Sequence, residues 1–167
     1  MSKNTYEKLQ QLKEYRDADA KRLKAIKQQQ FAFVSYCLNE EMSQLNDAIY
    51  EGSYNAPVLY FTDNGYIFFT PDDTGTGIAY KCLVVYVLTV LKLTKLPILV
   101  HDSIVLKQIS NNAIERMLEL YSSCGKQVII ALDKQDSYSA KSAKPLNESA
   151  VLRLINNSRE LFGRSWG

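Results

Sequence analysis

From Lys3 to Tyr50 the sequence contains neither proline nor glycine and is rich in Lys, Gln, Glu, Leu and Ala. Such a stretch has little alternative to a helix, and over this length the helix is the longest element of the chain. Alternating steps of three and four from Leu9 pick out Leu9, Leu12, Arg16, Asp19, Leu23, Ile26, Gln30, Phe33 and Cys37. The series is mostly apolar with a gap at Arg16 and Asp19, the pattern of a short or imperfect coiled coil. The seam then changes to Val34, Leu38, Met42, Leu45 and Ile49, as expected of a helix packing on a globular body. The sequence thus predicts two domains: a helical arm over 1–50 and an α/β body over 51–167.

A chain of 167 residues suffices for one ordinary core. Its formal charge of +2 is too small to argue for nucleic acid on electrostatic grounds. Cys37, Cys82 and Cys124 are odd in number, widely spaced and in or beside apolar stretches, which reads as reduced, buried thiols and not as a disulfide frame or a zinc site. The amino terminus lacks the apolar core of a signal peptide, and the most apolar segment, Cys82–Leu93, is too short to span a bilayer. A soluble, cytoplasmic protein with no membrane partner is the expectation.

Val58–Thr62 and Tyr66–Thr70 read as a hairpin through Asp63-Asn64-Gly65, since Asn and Gly both tolerate positive φ. Both alternating faces are apolar or aromatic, so the hairpin is either covered twice or part of an interface. A glycine-bearing turn then leads into an apolar helix from Gly77 to Leu93. Pro97–Asp102 reads as a buried strand, Asn111–Ser123 as a helix stopped by Gly125, and Gln127–Asp133 as a second buried strand, together a parallel βαβ unit. The segment 133–149 reads as an exposed loop, and a last helix is expected over 147–158 with Val151, Leu152 and Ile155 inward.

Ligands of open parallel sheets gather at the carboxyl ends of the strands, here His101, Asp102, Ser103, Asp133 and Lys134. A buried ionised Asp102 costs several kcal/mol, about that of any uncompensated carboxylate, and so asks for Mg²⁺, a cap on the next helix, or a lysine such as Lys81 or Lys107. His101 reads as a structural histidine or a ligand, with no second His or Cys cluster to complete a transition-metal site. Ser103 beside His101 does not make a hydrolase triad, because neighbours in a strand point to opposite faces. "DDTGTGIAYK" suggests a phosphate-binding turn but fits neither the Walker A nor the Rossmann spacing. Its competing explanation is a helix start capped by Thr74 or Thr76, with Asp72 and Asp73 complementing the dipole.

The order of these pieces resembles the C-terminal half of an ABC-type ATPase head of the SMC and RecN kind. More closely, "LNDAIYEGSYNAPVLYF", "TPDDTGTGIAYKCLVVYVLTVLKLTKLPILVHDS" and "ELFGR" look like the uncharacterised domain family that closes coiled-coil, SMC-like ATPases, some of them in bacterial three-component ABC systems. The resemblance covers roughly residues 35–165. It implies that Thr74, Gly75, Thr76 and Gly77 form the signature turn, which reaches the γ-phosphate held by a second head. It implies that Asp102 is the Walker B aspartate supporting Mg²⁺, and that Ser103 stands where many relatives carry the catalytic glutamate. The segment after Ser103 then corresponds to the D-loop, and Asp133 or Lys134 falls near the switch-histidine position without a histidine.

A complete head also needs a Walker A loop from an N-terminal lobe, which this sequence does not contain. The implied cofactors are ATP and Mg²⁺ in a completed head, and the implied partners are that lobe, a second head and DNA, in DNA maintenance or defence. The isolated chain is expected to be inactive. A non-catalytic module docking on a partner ATPase is the alternative, favoured by the lost glutamate and switch histidine. A free-standing small-molecule enzyme is a third and weaker idea.

Overall fold

A hydrophobic stripe on the second half of the long helix organises the first part of the chain. The computed structural model describes residues 3–72, 75–132 and 137–154. These fall in two compact units, Met1–Pro97 and Ile98–Gly167. Together they form a mixed α/β fold: a long N-terminal helix, an antiparallel hairpin, and then a parallel strand pair.

In the first unit, α1 runs unbroken over Lys3–Tyr50, a span of about 72 Å at the usual helical rise. Residues 4–30 are exposed throughout, including Leu9, Leu12, Leu23 and Ile26 of the expected seam. Farther along, Ser35, Met42, Leu45, Asn46, Ile49 and Tyr50 are buried, so packing begins where the seam was expected to change. Val34 departs from that seam and is exposed; Ser35 takes the inward position. β1 (Val58–Thr62) and β2 (Gly65–Phe69) pair antiparallel, with Leu59 opposite Phe68 and Phe61 opposite Tyr66. α2 (Thr76–Leu93) buries Cys82, Val84, Val85, Leu88, Thr89 and Leu91 and packs on α1.

The hairpin turn differs from the expected one, because neither Asp63 nor Asn64 takes positive φ; among the described non-glycine residues only Glu51 and Asp72 do. Lys24 and Lys27 of α1 lie 3.6 Å from the Asp63 carboxylate, and Lys27 also donates to the Asp63 carbonyl at 3.3 Å. The turn is therefore shaped against α1 as well as by its own residue types.

In the second unit, β3 (Ile98–His101) pairs parallel with β4 (Gln127–Ile130), the crossover passing through α3 (Ser103–Leu106) and α4 (Asn111–Ser123). The unit's core is Leu106, Ile109, Ala113, Ile114, Met117 and Tyr121. Ser110 caps α4 by accepting the Ala113 N–H, and Gly125, at φ 67°, ends it in the left-handed conformation that glycine adopts without a Cβ clash. The expectation of strands buried on both faces fails: Ile98, Val100 and Ile129, which share one face, are all exposed. The other face carries His101 toward Tyr121 of α4, ring centroids 5.7 Å apart.

Two further expectations are corrected. The segment read as loop holds α5 (Ala140–Glu148), even with Pro145 inside it. Its start is held by Glu115 of α4, which accepts the Ser139 backbone N–H at 2.7 Å and the Ser139 hydroxyl at 2.6 Å, while Lys141 pairs with Glu119. Those tertiary bonds fix the first turn, and Ala140, Lys141, Ala143, Lys144, Leu146 and Glu148 are themselves good helix formers that the intervening Ser and Pro residues masked. Of the helix expected over 147–158, the described part is helical only at Asn147 and Glu148, the end of α5, and Val151 and Leu152 are exposed. Ile155 and the residues after it lie outside the described residues.

Candidate functional site

Two features carry the chemistry the sequence singled out, one in each unit. In the first, Gly75 stands at the N-cap of α2 with φ −70° and ψ 146°, and as a glycine it offers no side chain to cap the helix. Thr76 is the first helical residue, so it is not the cap, and Thr74 and Asp73 lie outside the described residues. Gly75 and Gly77 are exposed. The Gly75 backbone is one any residue adopts, and a Cβ built there would meet only Ile78 Cδ1 at 3.4 Å, an ordinary contact. Neither backbone conformation nor internal packing requires glycine at 75. A helix N-terminus without a side-chain cap presents amide N–H groups and the positive end of the dipole to whatever approaches.

The first turns of α2 are fixed by a residue the sequence reading treated only as a possible Asp102 partner. Lys81 is 4% exposed, donates to the Asn55 carbonyl at 3.0 Å, and lies 5.0 Å and 4.6 Å from the ring centroids of Tyr50 and Tyr54. A desolvated ammonium against two aromatic faces is held by roughly 2 kcal/mol or more of cation–π attraction. It ties the glycine turn's helix to the end of α1. Burial raises the Tyr50 phenol above its ordinary range, with Cys82 and then Tyr54 adding to it. Nothing in the spacing of Tyr50, Tyr54 and Lys81 revealed this cage beforehand, because it depends on how the chain turns after α1.

In the second unit, Asp102 directly follows β3 and is exposed, which corrects the expectation of a buried carboxylate. Its Oδ1 accepts the Ile104 N–H at 3.3 Å, so it caps the short α3 as one of the weighed alternatives held. No desolvation cost attaches to it. His101 is 5% exposed on the opposite side of the sheet, and burial lowers its pKa below the usual value. The neutral imidazole packs on Tyr121, and its Nε2 has no hydrogen-bond partner among the described residues. Ser103 opens α3. Asp133 and Lys134 lie outside the described residues.

Among the described residues no three His, Cys, Asp or Glu side chains group as a metal cage. Asp102 therefore suits only an ion that takes most of its ligands from water and a bound phosphate, as Mg²⁺ does. The thiols of Cys37, Cys82 and Cys124 are all free; Cys82 is buried as expected, whereas Cys37 and Cys124 are only half-buried. No helix among the described residues is long and apolar enough to cross a membrane.

Known structures place this fold. A structure concerned with ATP-driven dimerisation and DNA-stimulated activation of SMC ATPases matches with TM-score 0.54 at 12% identity, over 79% of this chain and 84% of that one. An SMC head bound to the C-winged helix domain of ScpA matches with TM-score 0.47 at 13% identity, over 60% of this chain and 35% of that one. The SMC head domain of Thermotoga maritima matches with TM-score 0.41 at 13% identity, over 64% of this chain and 43% of that one. The chain thus spans about a third of the ScpA-bound head. No curated protein matches the sequence. The sequence from the last turns of α1 onward, with the hairpin, glycine turn, βαβ unit and tail in order, fits one family throughout residues 45–166: the chain belongs to that described as an uncharacterised protein conserved in bacteria (DUF2326).

Proposed function

We propose that this chain is the C-terminal lobe of an SMC-like ATPase head, acting in DNA maintenance or defence with a second head as its partner. An N-terminal lobe supplies the Walker A loop, and this chain supplies the signature turn and the Walker B carboxylate. Thr74, Gly75, Thr76 and Gly77 present backbone N–H groups to the γ-phosphate of ATP bound on the other head. Asp102, exposed at the carboxyl end of a parallel strand, supports Mg²⁺ through water. Ser103 takes the place of the general base, Lys134 stands near the γ-phosphate, and His101 holds the strand end in position from beneath. On this reading the arm over 1–50 is the returning half of a coiled coil and 51–167 is the lobe.

The observation that carries the proposal is Gly75: a glycine at the N-cap of a helix, demanded by neither its φ nor its described surroundings. Such a position is explained by something outside the chain that comes close to the backbone, and an anion is what a helix start attracts. The exposed apolar face of Ile98, Val100 and Ile129 supports it, since parallel sheets are normally covered on both sides.

The test mixes the chain with an N-terminal lobe bearing G-x-x-x-x-G-K-[ST], Mg²⁺ and a slowly hydrolysed ATP analogue. Wild type forms a nucleotide-dependent dimer and Gly77→Asp does not, because the new carboxylate repels the phosphate. Normal dimerisation of a folded Gly77→Asp variant refutes the signature-turn assignment. A module that merely docks on a partner ATPase is the second reading, favoured by the serine at 103; it keeps its partner binding in the same variant.

A further inference from the structure

The two edges of the hairpin are treated differently. On β1, Asn39 of α1 accepts the Leu59 N–H at 2.8 Å and donates to the Leu59 carbonyl at 3.1 Å, and Ser35 accepts the Phe61 N–H at 3.3 Å. Side chains of α1 thus stand in for a neighbouring strand and close that edge. Because Leu59 and Phe61 turn their backbone groups away from β2, their cross-strand partners Phe68 and Tyr66 turn theirs away from β1. Among the described residues nothing pairs with those outward groups. From Gly65 to Thr70 the strand carries no charge and no proline, which are the usual guards of an open edge. Tyr66, Ile67 and Phe69 are 70%, 53% and 45% exposed.

We infer that the β2 edges of two copies of this chain pair antiparallel about a two-fold axis at Ile67, joining their hairpins into one four-stranded sheet without nucleotide. The occupant follows from the edge itself. An antiparallel pair centred on Ile67 sets Tyr66 against Phe68 of the partner subunit, where the outward N–H and C=O groups exchange hydrogen bonds. Ile67 meets Ile67 of the partner subunit at the close, non-hydrogen-bonded position. Gly65 lies opposite Phe69 of the partner subunit, so the residue with no side chain faces the large ring. Every pairing is reciprocal, as a two-fold interface demands. The strand is neutral, and the nearest acid, Asp63, is already matched by Lys24 and Lys27, so two identical edges meet without repulsion. This pairing is independent of the ATP-dependent dimer proposed above.

Sedimentation of the full chain without ATP tests it. Wild type is dimeric, and Ile67→Lys, which sets like charges directly opposite, raises the dimer dissociation constant by at least about tenfold with an unchanged far-UV spectrum. Ile67→Cys forms a disulfide-linked dimer under mild oxidation. Tyr66→Cys does not, because its counterpart lies two positions away and beyond disulfide reach. Wild-type chain without added cysteines provides the background from its own thiols. A monomer at all concentrations, a dimer that survives Ile67→Lys because the arm holds it, or equal cross-linking at 66 and 67 overturns the inference.

Discussion

Replacing Asn39 by alanine removes the side chain that closes the β1 edge, and its cost follows from two hydrogen bonds. The Asn39 amide accepts from Leu59 N–H at 2.8 Å and donates to Leu59 C=O at 3.1 Å, both partly buried. A buried polar group left without a partner costs about 1–3 kcal/mol. Water reaches the half-buried site in the variant, so the lower end applies to each group and the total is about 2 kcal/mol. For a chain of this size that lowers the melting temperature by about 4–8 °C. Ser35→Ala removes a single, longer bond at 3.3 Å and costs less, about 0.5–1 kcal/mol. Asn39→Asp keeps the acceptor for Leu59 N–H but turns a second acceptor on the Leu59 carbonyl, so it is no better than alanine. Urea unfolding followed by circular dichroism measures all three. A loss below about 0.5 kcal/mol for Asn39→Ala, or an equal loss for Ser35→Ala, refutes the claim that α1 substitutes for a strand.

Gly125→Ala places a Cβ at φ 67° with open space around it, so its cost is purely conformational, about 1 kcal/mol by thermal unfolding. Gly75→Ala, at φ −70° with only Ile78 nearby, leaves stability unchanged within about 0.5 kcal/mol. His101 is held neutral by burial, its folded pKa below the ordinary 6.5. The native state then binds fewer protons than the unfolded one; the contribution is complete above about pH 6.5 and is lost as pH falls toward the folded value. Chemical denaturation from about pH 7.5 to about pH 5, on either side of the ordinary histidine pKa, reveals a slope that His101→Gln reduces.

What the sequence disclosed was the part set by local periodicity. The helix from Lys3, the Val58–Thr62 strand and the Asn111–Ser123 helix stand where proline-free length, aromatic alternation and the Ser110 and Gly125 boundary residues put them. What it hid depends on residues far apart in the chain. Asn39 and Ser35 look like surface residues of a helix until the β1 edge arrives beside them. The α5 helix carries Ser142, Pro145 and Asn147 among Ala, Lys, Leu and Glu, and Glu115 and Glu119 of α4 hold its start. At the candidate site the positions of His101 and Asp102 at the end of β3 were legible, and so was a structural His101, but the exposure of Asp102 was not. The apolar run suggested a buried carboxylate, whereas Asp102 lies just past the end of β3, exposed, where it caps α3. Loss of the expected Thr76 cap had no signal in the sequence at all, since Thr and Gly are both acceptable at a helix start.

The most direct test of the central claim is Mg²⁺-dependent ATP binding by the head reconstituted from this chain and a Walker A lobe, measured by calorimetry against each component alone. The account predicts that this chain alone binds no ATP and that the two lobes together bind it with Mg²⁺. Asp102→Asn weakens the Mg²⁺-dependent part by at least about tenfold, or roughly 1.4 kcal/mol, while Asp102→Asn without Mg²⁺ matches wild type. Tight Mg²⁺–ATP binding by this chain alone, or full affinity in a folded Asp102→Asn head, would contradict it.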